Sequence, residues 1–283
     1  MQSLAGRTAL VTGAAGGFGR EIVHGFLREG ANVVAADVSD PGLLDLQESM
    51  AKAGFGGRLA TRYLDISDQR ACAAAVAATE AKFGALDILV NNGALGMTPI
   101  REDHMTNLVK IEEIEPDVWR RVVDVNLSGA WYLTRAAVPG MKARRWGRII
   151  SVTTSMFTML RGGFHPYGPA KAALEAMSAG HAQEFDGTGI TVNVVVPGGP
   201  ADTPMVPAAS GFKRADLIAP YKMVAPMVWL CSKDGDGVTG NRYVAAHWDA
   251  QAPVAQSRKA AESAIGWPGL AAAPVWPGGR PPK

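Results

Sequence analysis

The sequence predicts an α/β fold: a doubly wound parallel sheet in a single domain. Three observations predict it. Short apolar runs alternate with helix-like segments from residue 8 to residue 246, which is the rhythm of strand–helix–strand units. The run 87–90 is nearly all apolar, as a strand covered on both faces must be. The first strand passes directly into a glycine cluster and then into an amphipathic segment. In that order a strand delivers free helix N-terminal amides to a phosphate.

The elements follow in order. Thr8–Thr12 is the first strand, residues 13–19 (Gly-Ala-Ala-Gly-Gly-Phe-Gly) are a turn, and 20–28 is the first helix. Residues 32–36 form the second strand, which ends at Asp37. A helix over 41–52 is stopped by Gly54, and the third strand covers 58–64, ending at Asp65. Residues 67–83 form an alanine-rich helix with Ser67 as its N-cap. The fourth strand is 87–90, the next helix 116–138, the fifth strand 148–152, the next helix 167–185 and the sixth strand 191–196. Residues 222–230 read as helix and 243–246 as the last strand.

At 283 residues the chain can bury a full core in one domain, residues 1–249. Residues 250–283 differ. They carry Pro253, Pro268, Pro274, Pro277, Pro281 and Pro282, a density expected to prevent the segment from extending the sheet. Trp267 and Trp276 argue that this Pro-rich extension docks on the body, because apolar rings are costly to leave in water; a disordered tail is the alternative.

Composition excludes several partners. Hydrophobic residues are 47%, charged residues 19% and the net charge is +2, which points to neither nucleic acid nor an anionic membrane. No apolar run is long enough to span a bilayer, and there is no internal repeat. The first strand begins by Arg7, which leaves no room for a signal peptide. Cys72 and Cys231 have no metal-like or redox-like neighbours, so both read as packing thiols in a reducing, cytoplasmic compartment.

Glycines let a backbone approach a pyrophosphate closely. The G-x-G-x-x-G spacing is met only loosely: Gly17 and Gly19 follow Gly13 after a gap, and a plain strand-to-helix turn is the alternative among 33 glycines. Asp37 strengthens the case. An acid about 20 residues after the loop accepts hydrogen bonds from the adenosine ribose, and its charge repels a ribose phosphate. Neither Gly16 nor Val38 supplies a cation to hold one. This reads as NAD rather than NADP; otherwise Asp37 is a turn residue before Ser39-Asp40-Pro41-Gly42.

Tyr167 and Lys171 lie four residues apart near a helix start, a spacing that stacks side chains on one face. A free phenol is a poor base at neutral pH, and an adjacent ammonium is expected to lower its pKa. Such a pair exchanges a proton with an alcohol or ketone, although alone it is usually surface decoration. Here it occurs with the loop 12–19, Asn91-Asn92-Gly93-Ala94, Asn126 and Pro197-Gly198, in one order.

That joint pattern resembles the short-chain dehydrogenase/reductase (SDR) family over residues 5–249, with a Rossmann-type fold. Gly13, Gly17 and Gly19 match its single-domain branch; Gly13, Gly16 and Gly19 would match the branch of nucleotide-sugar epimerases and dehydratases. The Asn-Asn-Gly segment and the length favour the first. The resemblance implies Tyr167 as general acid/base and Lys171 on the nicotinamide ribose. It also implies Asn126 holding a relay water, Asp65 and Ile66 at the adenine, and Asn92 on the adenosine side. Gly13, Gly17, Phe18, Gly19 and Asp37 would line the cofactor, Thr203 would reach the carboxamide, and no metal is implied. It implies a homotetramer with helices 116–138 and 167–185 at a dimer interface.

The departures fall mostly around the substrate. Gly93 and Ala94 are exchanged relative to the usual Asn-Asn-Ala-Gly, 96–115 is long, 201–219 is short, an extra residue precedes Thr203, and His247-Trp248-Asp249 replaces a glycine-rich ending. His104 reads as a solvated loop residue and His165 as a pocket-lining one. Met156, Phe157, Met159 and Phe164 read equally as substrate wall or core. The family places a serine 13 residues before the tyrosine; here that position is Thr154. Ser155 has the usual residue type but lies one position late, and in a regular strand it faces the other way. A bulge would reverse that choice.

The expected activity is NAD-dependent hydride transfer between nicotinamide and a secondary alcohol or ketone, a small-molecule substrate whose identity stays open. The alternatives are an NAD-retaining epimerase or dehydratase and a catalytically silent NAD-binding scaffold.

Overall fold

The computed structural model describes residues 2–270. Eight strands form one sheet: β1 (Thr8–Thr12), β2 (Asn32–Asp37), β3 (Leu59–Tyr63), β4 (Ile88–Asn91), β5 (Gly147–Val152), β6 (Ile190–Val196), β7 (Asn241–Val244) and β8 (Glu262–Ala264). Their spatial order is β3-β2-β1-β4-β5-β6-β7-β8, and every pairing is parallel except β7 with β8. This is the expected doubly wound architecture.

Helices cover both faces because side chains alternate along each strand. On one face Ala9, Val11, Ile88 and Val90 pack with α1 (Gly17–Arg28), α2 (Asp40–Lys52) and α8 (Val224–Cys231) through Phe26, Leu46 and Met227. On the other, Leu10, Leu89, Ile149 and Val192 meet α3 (Gln69–Phe83), α5 (Gly129–Arg144) and α7 (Tyr167–Glu184) through Val76, Leu133 and Ala182. Each fully buried side chain such as Phe26 or Leu89 contributes about 1.5–3 kcal/mol. The strand order reverses between β1 and β4, so the carboxyl ends of these strands open the crevice where ligands bind in such sheets. Cys72 and Cys231 are free and buried, and burial, the main cause in each, pushes both thiols up to about 12.

Several local expectations are corrected. The helix after β3 starts one residue later than Ser67 suggested: the Asp68 side chain accepts from the Arg70 and Ala71 amides at 2.7 and 3.1 Å and is the cap of α3. The single helix over 116–138 is α4 (Pro116–Val123), a π-helical turn at Asp124–Ser128, and α5. Asn126, inside that turn, exchanges two hydrogen bonds with the Leu95 backbone at 2.8 Å, and the widened turn accommodates them. A short helix, α6 (Met156–Leu160), follows β5, and the segment 220–230 begins as a 3-10 turn, Pro220–Met223, before α8.

The sheet also extends beyond the expected last strand. After β7, α9 (Val254–Ala261) leads into β8, which pairs antiparallel with β7 at Asn241↔Ala264, Arg242↔Ser263 and Tyr243↔Glu262. The prolines misled because none falls between Pro253, which caps α9, and Pro268. Tyr243 Oη donates to Glu262 at 2.9 Å, and buried Trp248 packs on Trp229 with ring centroids 5.3 Å apart. Trp267 is half-buried; Trp276 lies outside the described residues.

Asp68→Ala should cost about 1 kcal/mol by removing the cap of α3, with Asp68→Asn recovering most of it. The midpoint of urea unfolding measures both, and an alanine variant as stable as wild type would refute the assignment.

Candidate active site

The first turn is fixed by one hydroxyl. Thr12 Oγ1 donates to the Val90 carbonyl at 3.2 Å and accepts from the Asn92 and Gly93 amides at 3.1 and 3.0 Å. Asn92 Nδ2 donates to the Thr12 and Gly13 carbonyls at 2.8 and 3.1 Å. Asn92 therefore braces the glycine turn from below. Thr12 was missed; its signal was a hydroxyl closing an apolar strand.

Three glycines are sterically required. Gly13 has φ +63°, and a Cβ there would lie 2.8 Å from Gly93 Cα. A Cβ on Gly19 would run into the Gly13 carbonyl oxygen, and one on Gly17 would press on Thr203 at 3.2 Å. Gly16 faces open space. The requirement thus follows the Gly13, Gly17, Gly19 pattern. Gly93 is tight as well: a Cβ would meet Ile66 Cδ1 at 3.2 Å. Phe18 packs partly buried on the core. The N-terminus of α1 has no side-chain cap and no acidic residue in its first turn, so its amides remain to receive an anion. This cradle fits a dinucleotide pyrophosphate.

Next to it stand two carboxylates. Asp37 accepts from the Ala15 and Ser39 amides, each at 3.0 Å, which ties the end of β2 to the loop. Asp65 accepts from the Ser67 amide and hydroxyl at 3.0 and 2.7 Å and pairs with Arg121 at 2.9 Å. Burial raises the Asp65 pKa, but the Arg121 and Ser67 hydrogen bonds outweigh it and hold the carboxyl below its usual value. Arg121 had no sequence signal. Ile66 is buried beneath Gly129.

At the other end of the crevice, β5 stops at Val152 and hands over to Thr153, Thr154 and Ser155. The Thr154 side chain lies close enough to the Tyr167 phenol to favour its ionised form. Ser155 is committed elsewhere: its Oγ accepts from the Thr158 amide at 3.1 Å and bonds Thr158 Oγ1 at 2.9 Å, capping α6. Lys171, one turn along α7, is buried and donates to the Val152 carbonyl at 2.8 Å.

The electrostatics differ from the expectation that Lys171 lowers the phenol. Tyr167 keeps a partly exposed surface, yet the protein packed around it pushes its pKa up to about 12, with the nearby Thr154 side chain opposing. Burial pushes Lys171 down to about 8. Desolvation favours the neutral form of both groups.

The remaining predicted residues are placed as follows. The Asn126 side chain is fully used by Leu95. Thr203 is buried against Gly17, on the side of the glycine loop. His104 is buried rather than solvated: its Nδ1 bonds the Arg101 carbonyl at 3.0 Å and its ring meets Phe164 edge-on. His165 is half-buried. Met159 and Phe164 are buried, whereas Phe157 is 71% exposed. Tyr167 itself packs on the cluster of Met97, Val109 and Phe164, so the long segment 96–115 forms part of the site wall.

The family model for short chain dehydrogenase matches residues 7–212. The 3beta-hydroxysteroid dehydrogenase 2 of Eggerthella lenta is 31% identical over 250 residues, covering 84% of this chain and 92% of that protein. A crystal structure assigned as an NAD(P)-dependent gluconate 5-dehydrogenase of Beutenbergia cavernae, with NADP at low occupancy, is 31% identical with a TM-score of 0.71, covering 86% of this chain and 96% of its own. The 3-ketoacyl-(acyl-carrier-protein) reductase of Brucella melitensis, complexed with NADH, is 27% identical with a TM-score of 0.73, covering 84% and 95%. The chain belongs to the short chain dehydrogenase family and is an oxidoreductase acting on alcohol and ketone groups.

Proposed function

We propose that this enzyme interconverts a secondary alcohol and its ketone with NAD, using Tyr167 as the general acid/base. The observation that carries the reading is the Thr154 side chain beside the Tyr167 phenol just beyond the end of β5, with Lys171 buried one helical turn away. The bound nicotinamide supplies the hydride acceptor or donor. The protein's residues do the rest. Thr154 donates a hydrogen bond to the substrate oxygen, and Tyr167 takes the alcohol proton or returns it to the ketone. Lys171 holds the nicotinamide ribose. Because the Asn126 amide is occupied by Leu95, a relay water falls to its backbone carbonyl. Asp65, Ile66 and Asn92 support the adenosine side, and Thr203 the nicotinamide side. The proteins compared above are dehydrogenases and reductases, which does not favour an epimerase. The family resemblance also supports a homotetramer in the cytoplasm.

NAD is preferred over NADP in this reading because Asp37 is anchored by two amides at the end of β2, where its charge would face the adenosine ribose and repel a phosphate there. NAD should be the more efficient cofactor in an NADH-absorbance screen over a panel of secondary alcohols, and Asp37→Ala should narrow that preference. Equal kcat/KM with NADP in the unmodified enzyme would remove the argument.

Tyr167→Phe keeps the ring and loses the proton carrier. Turnover should fall by roughly 10²–10⁴-fold, while NADH binding, followed by tryptophan fluorescence, stays near wild type. A variant within a few-fold of wild type would mean that another group moves the proton.

Thr154→Ala should lower kcat strongly and Thr154→Ser should retain much of it. Ser155→Ala should act mainly on stability through the α6 cap, by about 1 kcal/mol. A larger kcat loss for Ser155→Ala than for Thr154→Ala would reverse the assignment.

A further inference from the structure

Behind the Thr154–Tyr167 pair lies a buried ion pair that proton transfer does not itself use. Glu175 sits on α7, eight residues after Tyr167, and its side chain is fully buried. Arg242 projects from β7 with its side chain 12% exposed. Its guanidinium acts as a fork: Nη1 donates to Glu175 Oε2, and Nη2 donates to the Thr154 carbonyl at 2.7 Å. Thr153 Oγ1 donates to the same Glu175 oxygen at 2.8 Å. Two consecutive residues leaving β5 are thus tied to one pair of charges.

Stability alone is a weak reason to bury such a pair, because desolvation cancels much of its attraction. Burial raises the Glu175 pKa against the pull of Arg242. Position is the better reason. The β5–β6 ladder ends at Val152↔Val195, so no sheet hydrogen bond fixes the Thr154 peptide. The Arg242 fork is what holds its carbonyl. The C-terminal arm helps to hold the fork: the Gly266 amide lies near enough to Glu175 to favour its charge. Gly266 has φ +71°, and a Cβ there would come within 2.8 Å of Ala179, so the arm is pressed onto α7.

We propose that Arg242, held by Glu175, is a positioning residue that fixes the Thr154 backbone and thereby aims the Thr154 hydroxyl at the substrate oxygen beside Tyr167. This rests on the roles of Thr154 and Tyr167 proposed above.

Arg242→Lys is the deciding variant. A lysine ammonium keeps a point charge for Glu175 but loses the rigid planar fork that spans Glu175 and the Thr154 carbonyl together. The thermal midpoint and the KM for NAD should stay near wild type. Turnover of the secondary alcohol found in the panel should fall roughly 10–100-fold. Crystal structures of the wild type and the variant, which need no substrate, should show the Thr154 hydroxyl farther from the Tyr167 phenol in the variant. In a Thr154→Ala background Arg242→Lys should lower kcat no further, because the group it aims is gone. The double variant Arg242→Met with Glu175→Gln leaves no unpaired buried charge and should reproduce the loss. Wild-type kcat in Arg242→Lys, or Thr154 unmoved in its crystal structure, overturns the proposal. Full activity in Thr154→Ala overturns the role of Thr154, and this proposal with it, while a Tyr167→Phe loss would leave the general base standing.

Discussion

The Thr12 hydroxyl holds the two halves of the crevice together where the strand order reverses. A hydroxyl has one donor and two acceptor positions, and all three are used here, on Val90, Asn92 and Gly93. These bonds set the distance between the turn after β1 and the turn after β4. At that distance Gly13 approaches Gly93 more closely than any Cβ would permit. Asn92 then occupies the Gly13 carbonyl, Gly19 fits beneath it, and the uncapped N-terminus of α1 faces the crevice. The cradle proposed for the anion is a consequence of backbone packing, and a side-chain hydroxyl enforces that packing.

The same construction recurs at the reacting end. Lys171 ties α7 to the Val152 carbonyl, Asn126 ties the π-helical turn to Leu95, and Arg242 ties β7 to Thr154. In each case a buried or largely buried polar side chain ends on a backbone carbonyl at or beyond the end of a strand, which a regular ladder would not satisfy. Burial drives Tyr167 and Lys171 towards their neutral forms. The nearby Thr154 side chain is the local influence that opposes this for the phenol. The carboxylate nearest in sequence, Glu175, is committed to Arg242 and Thr153. Burial thus sets the direction of both shifts, with the Thr154 side chain working against it at Tyr167.

What could be read from the sequence was what local periodicity records. The buried strands announced themselves as apolar runs and Tyr167 and Lys171 as a helical spacing, whereas the strand alternation used to weigh Thr154 against Ser155 does not reach them, because β5 ends at Val152. Ser155 proves to be spent on capping α6. Residues that act across the fold left no such trace. Arg242 meets Thr154 across 88 residues, and Arg121 meets Asp65 across 56. No window of sequence contains either pair. Ser67 and Asp68 are both good cap types, and only the geometry of the turn chooses between them. The break at Asn126 likewise depends on Leu95, 31 residues away.

The C-terminal arm shows why proline content alone was a poor guide. Its prolines flank a proline-free stretch that contributes α9 and a three-residue strand. A strand that short makes a blunt sheet edge, which resists pairing with another chain. It also covers β7 at Arg242, whose partner across the ladder is Ser263. An arginine on an open edge would be hydrated, and its bond to a carbonyl would compete with water. With β8 alongside and Gly266 pressed on α7, the guanidinium makes that bond inside protein, where a hydrogen bond is electrostatically stronger. The arm that closes the edge of the sheet therefore also governs how firmly the Thr154 peptide is held.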